Sequence, residues 1–332
     1  MKRRVFLAAL GSVAAWPGMA LAQRTALPVI GFLSSGSPDA FAPFVAAFRS
    51  GVESQGLRYG QDVVVEHRWS DGRYENLKAL ADGLARRPVA LIAASGGVVS
   101  AQAAIQATKT IPIVFVVGFD PALLGLVSSI ARPTGNATGV SLFTTELASK
   151  RLEVLRDLRP QLADVGILVN PGSATTGVEV EMTWVAARGF GLRLSTFEAG
   201  NPGAIDEAFS QAARQQVQAL LVSADPFFTI RRKQIVELAA RHMMPTMYPF
   251  RAYIEDGGLA SYGTEVTWAY EQAGQYAARI LKGMKPSELP IMQPTNFKLT
   301  VNLQTLRTLG MTLPVSVAVR AEVVGDTDPV PR

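Results

Sequence analysis

Asp225 is the residue of this chain whose position most clearly calls for a chemical explanation. Residues 219–225 read ALLVSAD, an apolar run typical of a strand, and Pro226 follows the carboxylate. Burying a carboxylate at the end of such a strand costs free energy unless a donor or a cation pairs with it. Two interpretations are open: Asp225 caps a helix that begins at Pro226, or it binds a cationic group of a ligand.

A small-residue turn in the first half of the chain favours the opposite charge. Ser95 ends the apolar run VALIAAS, and Gly96 and Gly97 follow it and precede a helix-like segment. Small residues let a ligand approach the backbone, and the first turn of a helix offers free N–H groups to an anion such as a carboxylate. The alternative is a plain strand–helix turn in which Ser95 caps the helix.

Polar and aromatic residues at other strand ends extend the set of candidates. In doubly wound sheets, ligands bind beyond the carboxyl ends of the strands, and aromatic side chains there can wall an apolar pocket. This rule adds the following candidate ligand-binding residues: Ser34, Ser35, Asp120, Asn170, Phe227, Tyr248 and Tyr262. For Asp120, which precedes Pro121 and the helix-like ALLGLVSSI, helix capping is the favoured interpretation.

Signatures of catalysis, metal binding and nucleotide binding are missing from the sequence. The chain has no cysteine, which excludes disulfides, thiol catalysis and cysteine-bound zinc. Its two histidines, His67 and His242, show no metal-ligand spacing, and no zinc-protease, serine-hydrolase, Walker or dinucleotide motif occurs. We therefore predict a binding protein that uses no cofactor or metal and is not an enzyme.

The first 22 residues predict export to the periplasm. The basic MKRR precedes the apolar VFLAALGSVAAW, and Ala20 and Ala22 form a pattern typical of a cleaved signal peptide. Arg3 and Arg4 leave both the Sec and the twin-arginine route open. Without this leader, 29 basic and 27 acidic residues remain, and the formal charge falls from +5 to +2. This balance predicts no nucleic-acid partner.

Strand-like and helix-like segments alternate along the chain, which predicts βαβ units with parallel sheets. The predicted strands are residues 28–34, 62–69, 89–95, 111–119 and 138–143, and then 164–170, 192–198, 219–225, 244–249 and 258–263. The second set repeats the order of the first, so the sequence predicts two Rossmann-like (flavodoxin-like) lobes. In this repeat Asp225 is equivalent to Ser95 and Gly96, and we expect the two sites to face each other across a cleft.

Two segments remain after the second set of strands, the helix-like 266–283 and the tail 294–310. They fit a chain that returns to the first lobe and then to the second, with crossings near residues 140, 263 and 294. Such crossings form a three-crossing hinge that lets the lobes close. The predicted boundaries are residues 1–22 for the signal peptide, 26–140 plus 264–293 for the N-terminal lobe, 141–263 plus 294–324 for the C-terminal lobe and 325–332 for a tail.

Long collinear blocks of the sequence resemble a family of exported binding proteins. The blocks are GQDVVVEHRWSDGRYENLKALA, ATKTIPIVFVVGFDPALLGLVSSIARPTGNATGVS, ELASKRLEVLRDLRP, DGGLASYG and LPIMQPTNFKLTVNLQTLRTLGM. They resemble the ABC transporter substrate-binding protein family that includes the tryptophan-binding TrpX type. The resemblance implies the type I periplasmic-binding-protein fold and delivery of a solute to an ABC transporter permease.

The resemblance also implies roles for individual residues. Members with known ligands bind amino acids, often aromatic ones. Carried over, Ser95 would hold the α-carboxylate, Asp225 would receive the α-ammonium, and Tyr248 would lie near the side chain. The chain departs from the tryptophan-binding members at LSSGSPDAF and at Asn170-Pro171-Gly172. The predicted ligand is an amino acid or a related zwitterion or organic acid, and an aromatic or branched side chain is one expectation. We also predict that the protein is monomeric.

Two other functions are open at this point. A periplasmic sensor of the same fold would present its closed form to a receptor, and the sequence does not separate it from a transport component. An exported α/β hydrolase with Asp120 or Asp225 as general base is a remote alternative, because the sequence offers no nucleophile, metal cluster or cofactor motif.

Overall fold

Two sheets of mostly parallel strands, with helices between the strands, make up the fold. The computed structural model of the protein describes residues 27–325. The predicted signal peptide and the predicted tail from residue 326 onwards lie outside the described residues. The sheets contain five and seven strands, and this arrangement confirms the predicted α/β class. We call the two halves built on these sheets the first and the second lobe.

The first sheet is built from the first half of the chain. Its strands are β1 (Val29–Ser34), β2 (Val64–Trp69), β3 (Leu91–Ser95), β4 (Ile113–Val117) and β5 (Ala137–Ser141). They are all parallel and lie in the order β2-β1-β3-β4-β5, the order of flavodoxin-like sheets. The helices here are α1 (Pro38–Ser54), α2 (Leu77–Ala85) and α3 (Val98–Ala107), and a short 3₁₀ helix, Tyr74–Asn76, precedes α2.

The second sheet is larger and mixed. Its strands are β6 (Asp164–Val169), β7 (Arg193–Glu198), β8 (Ala219–Val222), β9 (Thr246–Tyr248), β10 (Ala260–Gly263), β11 (Lys298–Asn302) and β12 (Ala321–Val324). Their order is β12-β11-β10-β9-β8-β6-β7, and among the described pairs only β10 and β11 are antiparallel. The helices between β5 and β10 are α4 (Ala148–Leu158), α5 (Thr176–Gly189), α6 (Pro202–Arg214), α7 (Pro226–Ile230), α8 (Arg232–Arg241) and α9 (Ala252–Glu255).

The strands form where continuous apolar runs occur in the sequence. β3 reads LIAAS and β4 reads IVFVV, and every residue of both is buried, as parallel strands covered on both faces require. All ten predicted strands occur, most of them shorter by one to three residues at an end. The predicted helix after Pro121 is wrong, since residues 121–130 form turns and bends with Gly125 at a φ of 67°.

The last quarter of the chain connects the lobes again. α10 (Val266–Leu281) returns to the first lobe and packs along α1. Met292 then exchanges backbone hydrogen bonds with Gly139 and Ser141 beside β5. The chain continues through β11 in the second sheet, followed by α11 (Leu303–Thr308) and α12 (Val315–Ala318).

The chain thus passes between the sheets after β5, after β10 and before β11, close to the three predicted positions. The residue boundaries assigned to the lobes stay a prediction. None of the described helices combines the length and the apolar character needed to cross a membrane.

Candidate functional site

A cavity lies between the two lobes. Its lining from the first lobe and the first crossing comprises Phe41, Phe44, Gly96, Gly97, Val116, Val117, Gly118, Leu142, Thr144, Val266 and Tyr270. The second lobe contributes Ala224, Asp225, Pro226, Thr229 and Phe250. The cavity is therefore mostly apolar, and strand ends and the turns after them form much of its wall, as expected for doubly wound sheets.

Asp225 lies on the cavity wall after β8 and also caps α7. Its side chain is buried, with only 3% of the residue exposed. Oδ1 accepts hydrogen bonds from the Tyr74 hydroxyl at 2.7 Å, the Asn170 amide at 3.0 Å and the Phe227 N–H at 3.0 Å. Oδ2 is buried and has no hydrogen-bond partner among the described residues. One oxygen thus serves the fold, while the other is buried and left without a hydrogen-bond partner among the described residues.

The electrostatic state of Asp225 follows from these contacts. Burial raises the pKa of the carboxyl, and hydrogen bonding from Asn170, Tyr74, Phe227 and Ser173 acts against that shift. A cation beside Oδ2 would further favour the charged form, because an opposite charge at short range stabilises a carboxylate.

The turn at residues 95–97 faces Asp225 from the first lobe. Gly96 and Gly97 have φ values of 79° and 84°, which favour glycine. A Cβ on Gly97 would lie 3.3 Å from Cγ of Pro226, so the turns that follow β3 and β8 approach each other across the cleft, as the repeat predicts. The cap residue of α3 is Gly97, and no side chain caps that helix. The interpretation of Ser95 as a cap is therefore wrong, and the first turn of α3 keeps backbone N–H groups for another acceptor.

Ser95 is held behind this turn and does not line the cavity. Its hydroxyl lies 2.8 Å from the Tyr270 hydroxyl, and the Gly96 N–H donates to the same Tyr270 oxygen at 3.2 Å. Ser35 donates to the Gly96 carbonyl at 2.5 Å, and Ser34 lies 3.4 Å from the Ser95 hydroxyl. Ser34, Ser35 and Ser95 thus support the shape of the glycine turn rather than the cavity surface.

Asn170 and Asp120 take different positions. Asn170 follows β6 and donates to Asp225, so it supports the carboxylate from within the second lobe. Asp120 accepts from the N–H groups of Ala122 and Leu123 and does not line the cavity. Asp120 therefore caps a turn.

Three predicted aromatic residues lie outside the cavity lining. The Phe227 ring belongs to the core of the second lobe beside Phe228. Tyr248 is 1% exposed and stacks on Tyr253 with ring centroids 4.8 Å apart. Tyr262 neighbours Phe297, and its carbonyl oxygen accepts a hydrogen bond from Arg151.

The aromatic residues that do line the cavity were missed by the sequence analysis. Tyr270 on α10 stacks on Phe44 with ring centroids 5.0 Å apart and an interplanar angle of 14°. Burial raises the pKa of the Tyr270 hydroxyl to about 12 against the effect of its hydrogen bonds to Ser95 and Gly96, so the phenol is neutral. The strand-end rule could have found Val116 and Val117, which end β4. Tyr270 and Phe44 lie in helices, where it does not apply.

Buried charges surround the second-lobe side of the site. Arg151 on α4 is 1% exposed and donates to the carbonyls of Tyr262 and Thr144, both at 2.8 Å. Burial raises the pKa of Glu179 to about 7, while the charge of Arg151 and the backbone N–H of Ala224 oppose the shift. Within the described chain, no group of three or more acidic, histidine or cysteine side chains is arranged to hold a metal ion.

Comparison with known proteins places the chain in a family. The sequence model described as ABC transporter substrate binding protein matches residues 29–324. A tyrosine-binding protein from Clostridioides difficile (strain R20291) is 23% identical over 264 residues, which are 80% of this chain and 75% of that protein.

Solved structures share the fold at low sequence identity. A conserved domain protein from Vibrio cholerae superimposes with a TM-score of 0.82 at 22% identity, over 89% of this chain and 99% of that one. An ABC domain in complex with L-Trp from Streptococcus pneumoniae gives a TM-score of 0.81 at 24% identity, over 90% and 99%. These neighbours support the two-lobed, type I periplasmic-binding-protein fold.

Proposed function

The chain belongs to the family of ABC transporter substrate-binding proteins, and from this premise we propose that it captures an amino acid with an apolar side chain between its lobes. The family consists of solute-binding proteins, so the chain is not an enzyme. The observation that carries the proposal is the buried carboxylate of Asp225 on the wall of a mostly apolar cavity, where Oδ2 has no hydrogen-bond partner among the described residues.

The ligand's ammonium group belongs at Asp225. A buried carboxylate oxygen without a partner is unfavourable, and an ammonium group would supply both a donor and the opposite charge. The relatives are consistent with such a ligand, since one is named as a tyrosine-binding protein and another holds L-Trp.

The ligand's carboxylate belongs at the opposite turn. Gly96 and Gly97 expose backbone on the cavity wall, and the first turn of α3 has no side-chain cap. The N-terminus of a helix favours an anion through its free N–H groups and its dipole. A zwitterion between this turn and Asp225 would contact both lobes, and contact with both lobes is what makes closure depend on the ligand.

The side chain of the ligand would contact apolar residues. The remaining walls include Phe41, Phe44, Leu142, Phe250 and Val266. The two threonines of the lining already bond within the protein: Thr144 donates to the Gly118 carbonyl and Thr229 to the Asp225 carbonyl. We therefore propose an aromatic or branched side chain, since a polar one would lose hydrogen bonds to water.

Transport and location complete the proposal. We propose that the protein acts in the periplasm and that its closed form delivers the ligand to an ABC import permease. The family membership and the signal-like residues 1–22 support this role.

The direct test is Asp225→Asn, which removes the charge but keeps the side-chain shape and a good helix cap. Calorimetric titration with L-tryptophan, L-tyrosine, L-phenylalanine and L-leucine should find at least one that binds the wild type. Asp225→Asn should weaken that binding by about 10- to 100-fold, equivalent to roughly 1.5–3 kcal/mol.

Asp120→Asn is the matched control, because Asp120 is also a cap but lies outside the cavity. It should leave the affinity unchanged. Equal losses in both variants, or no binding of any of the four amino acids by the wild type, would contradict the proposal.

A further inference from the structure

The geometry points to Tyr74 as a positioning residue that joins the two lobes: its hydroxyl holds the closed form and orients the Asp225 carboxylate. The orientation of Asp225 towards a ligand rests on the proposed function, whereas the role of Tyr74 in holding the lobes together does not. We call the hydrogen bond between the Tyr74 hydroxyl and Asp225 Oδ1 the Tyr74 latch.

The latch connects residues from different lobes. Tyr74 begins the short 3₁₀ helix after β2 in the first lobe, whereas Asp225 follows β8 in the second. The Tyr74 hydroxyl donates to Asp225 Oδ1 at 2.7 Å and accepts from the Phe227 N–H at 3.2 Å. The Tyr74 ring packs against apolar clusters of both lobes. One side chain therefore provides both apolar and polar contact between the lobes.

The surroundings of the latch are closely packed. A Cβ on Gly72 would lie 3.2 Å from the Phe227 ring, and one on Gly172 would lie 3.7 Å from the Tyr74 ring. Gly72 has a φ of 79°, a backbone conformation that favours glycine. Both this conformation and the short distance to the Phe227 ring disfavour a side chain at this position. Tyr74 does not line the cavity. The latch thus lies beside the ligand cavity and can act without touching the ligand.

The two oxygens of the Asp225 carboxylate differ in their hydrogen bonds. Oδ1 accepts from Tyr74, Asn170 and Phe227, and none of the described residues bonds to Oδ2. Burial and the nearby charge of Asp225 raise the pKa of the Tyr74 hydroxyl well above its usual value, so the phenol stays a neutral donor. Asn170 and Phe227 belong to the same lobe as Asp225, and Tyr74 is the donor of this set that leaves when the lobes part.

Closure and ligand binding are therefore linked through one side chain. With the lobes placed as in the structure, the three donors on Oδ1 fix the carboxylate, and Oδ2 is left without a partner within the described chain. A ligand that binds only this arrangement shifts the population towards the closed form. Tyr74 should consequently favour closure even without ligand.

Distance measurement between the lobes tests this directly. The chain has no cysteine, so Ala79→Cys on α2 and Ala213→Cys on α6, both exposed, provide two unique sites for nitroxide labels. Double electron–electron resonance measures the distance between the two labels. On the ligand-free protein it should show a closed and an open population. In Tyr74→Phe, which keeps the ring, the ratio of closed to open should fall about 10- to 100-fold.

Tyr276→Phe is the matched control. Tyr276 is a buried tyrosine whose hydroxyl donates to the Pro290 carbonyl at 2.8 Å, away from the interface with the second lobe. It loses one hydrogen bond as Tyr74→Phe does, but it should leave the distances between the labels unchanged. Coinciding distance distributions for the wild type and Tyr74→Phe, or an equal shift in Tyr276→Phe, would overturn the inference.

The result separates the latch from the proposed function. If Tyr74→Phe opens the ligand-free protein, the latch holds whether or not an amino acid binds. If an amino acid binds and depends on Asp225 but Tyr74→Phe neither opens the lobes nor weakens that binding, the latch is wrong and the proposed function stands.

Discussion

At the scale of single residues, the site holds more buried carboxylates than buried cations. Asp225 and Glu179 are both buried, and Glu146 has a buried Oε2 that no described residue hydrogen-bonds. Arg151 is the buried cation near Glu179 and Glu146, and its own pKa is lowered to about 10 by burial. A ligand ammonium at Asp225 would add a second positive charge, which is why a cationic group suits this side of the cavity.

Glu179 should make the stability of the fold depend on pH. Its pKa of about 7 lies above the ordinary value of 4.5, so the folded protein holds a proton between these values that the unfolded chain releases. The free energy of unfolding therefore falls as pH rises through this window. Glu179→Gln removes this titration. From pH 5 to pH 8, the difference in the free energy of unfolding between the variant and the wild type should therefore shift by about 2–3 kcal/mol in favour of the variant.

Urea denaturation of both proteins at pH 5, 6, 7 and 8 measures this difference. Glu181→Gln is the control, because Glu181 lies on the same helix but is exposed. It should show no such trend. A constant difference between Glu179→Gln and the wild type across the four pH values would refute the assignment.

At the scale of elements, two glycines determine how α10 returns to the first lobe. A Cβ on Gly274 would lie 2.1 Å from the Phe48 carbonyl oxygen, and one on Gly51 would lie 2.0 Å from the Glu271 carbonyl oxygen. α1 and α10 thus touch backbone to backbone. This contact places Tyr270 of α10 beside Phe44 of α1, and both line the cavity.

Gly274→Ala should therefore destabilise the protein although alanine favours helices. Overpacking of this kind costs roughly 1–3 kcal/mol in the free energy of unfolding. Gly83→Ala in α2 is the opposite case, because no atom of the described part of the chain lies within 4 Å of its Cβ position, and it should stabilise by about 0.5–1 kcal/mol. Equilibrium unfolding compares the two, and the same sign for both changes would contradict the packing argument.

At the scale of the whole molecule, three passages of the chain join the lobes, and Arg151 connects two of them. Its Nε donates to the carbonyl of Tyr262 near the end of β10, and its Nη1 donates to the carbonyl of Thr144 just after β5. One guanidinium thus bonds the backbone of two neighbouring crossings. We therefore expect Arg151 to stabilise the fold at these two crossings.

Arg151→Lys should destabilise the protein by about 2–4 kcal/mol, because a lysine ammonium does not reproduce the fork of two charged hydrogen bonds. Arg156→Lys on the same helix is the control. Arg156 is 38% exposed and its guanidinium lies over the Phe190 ring, so its replacement should stay within about 0.5 kcal/mol. Urea unfolding measures both, and equal losses would show that Arg151 has no special role in the crossings.

Much of the site could be predicted because strand ends are visible in a sequence. Apolar runs of strand length located β3 and β8, and the residues after them, Gly96, Gly97 and Asp225, line the cavity. Tyr248 was expected near the ligand for the same reason. Its ring turns instead into the core of the second lobe against Tyr253, a choice made by packing that the strand pattern does not contain.

The sequence by itself determined the alternation of strands and helices, the two-lobed α/β class and the carboxylate at the end of β8, since these depend on the periodicity and types of neighbouring residues. Only the tertiary structure decided which distant residues meet there. Tyr74 and Asp225 are 151 positions apart, and Ser95 and Tyr270 are 175 apart. Their contacts depend on how the sheets and helices pack, and that packing is the sum of many weak interactions that no local pattern records.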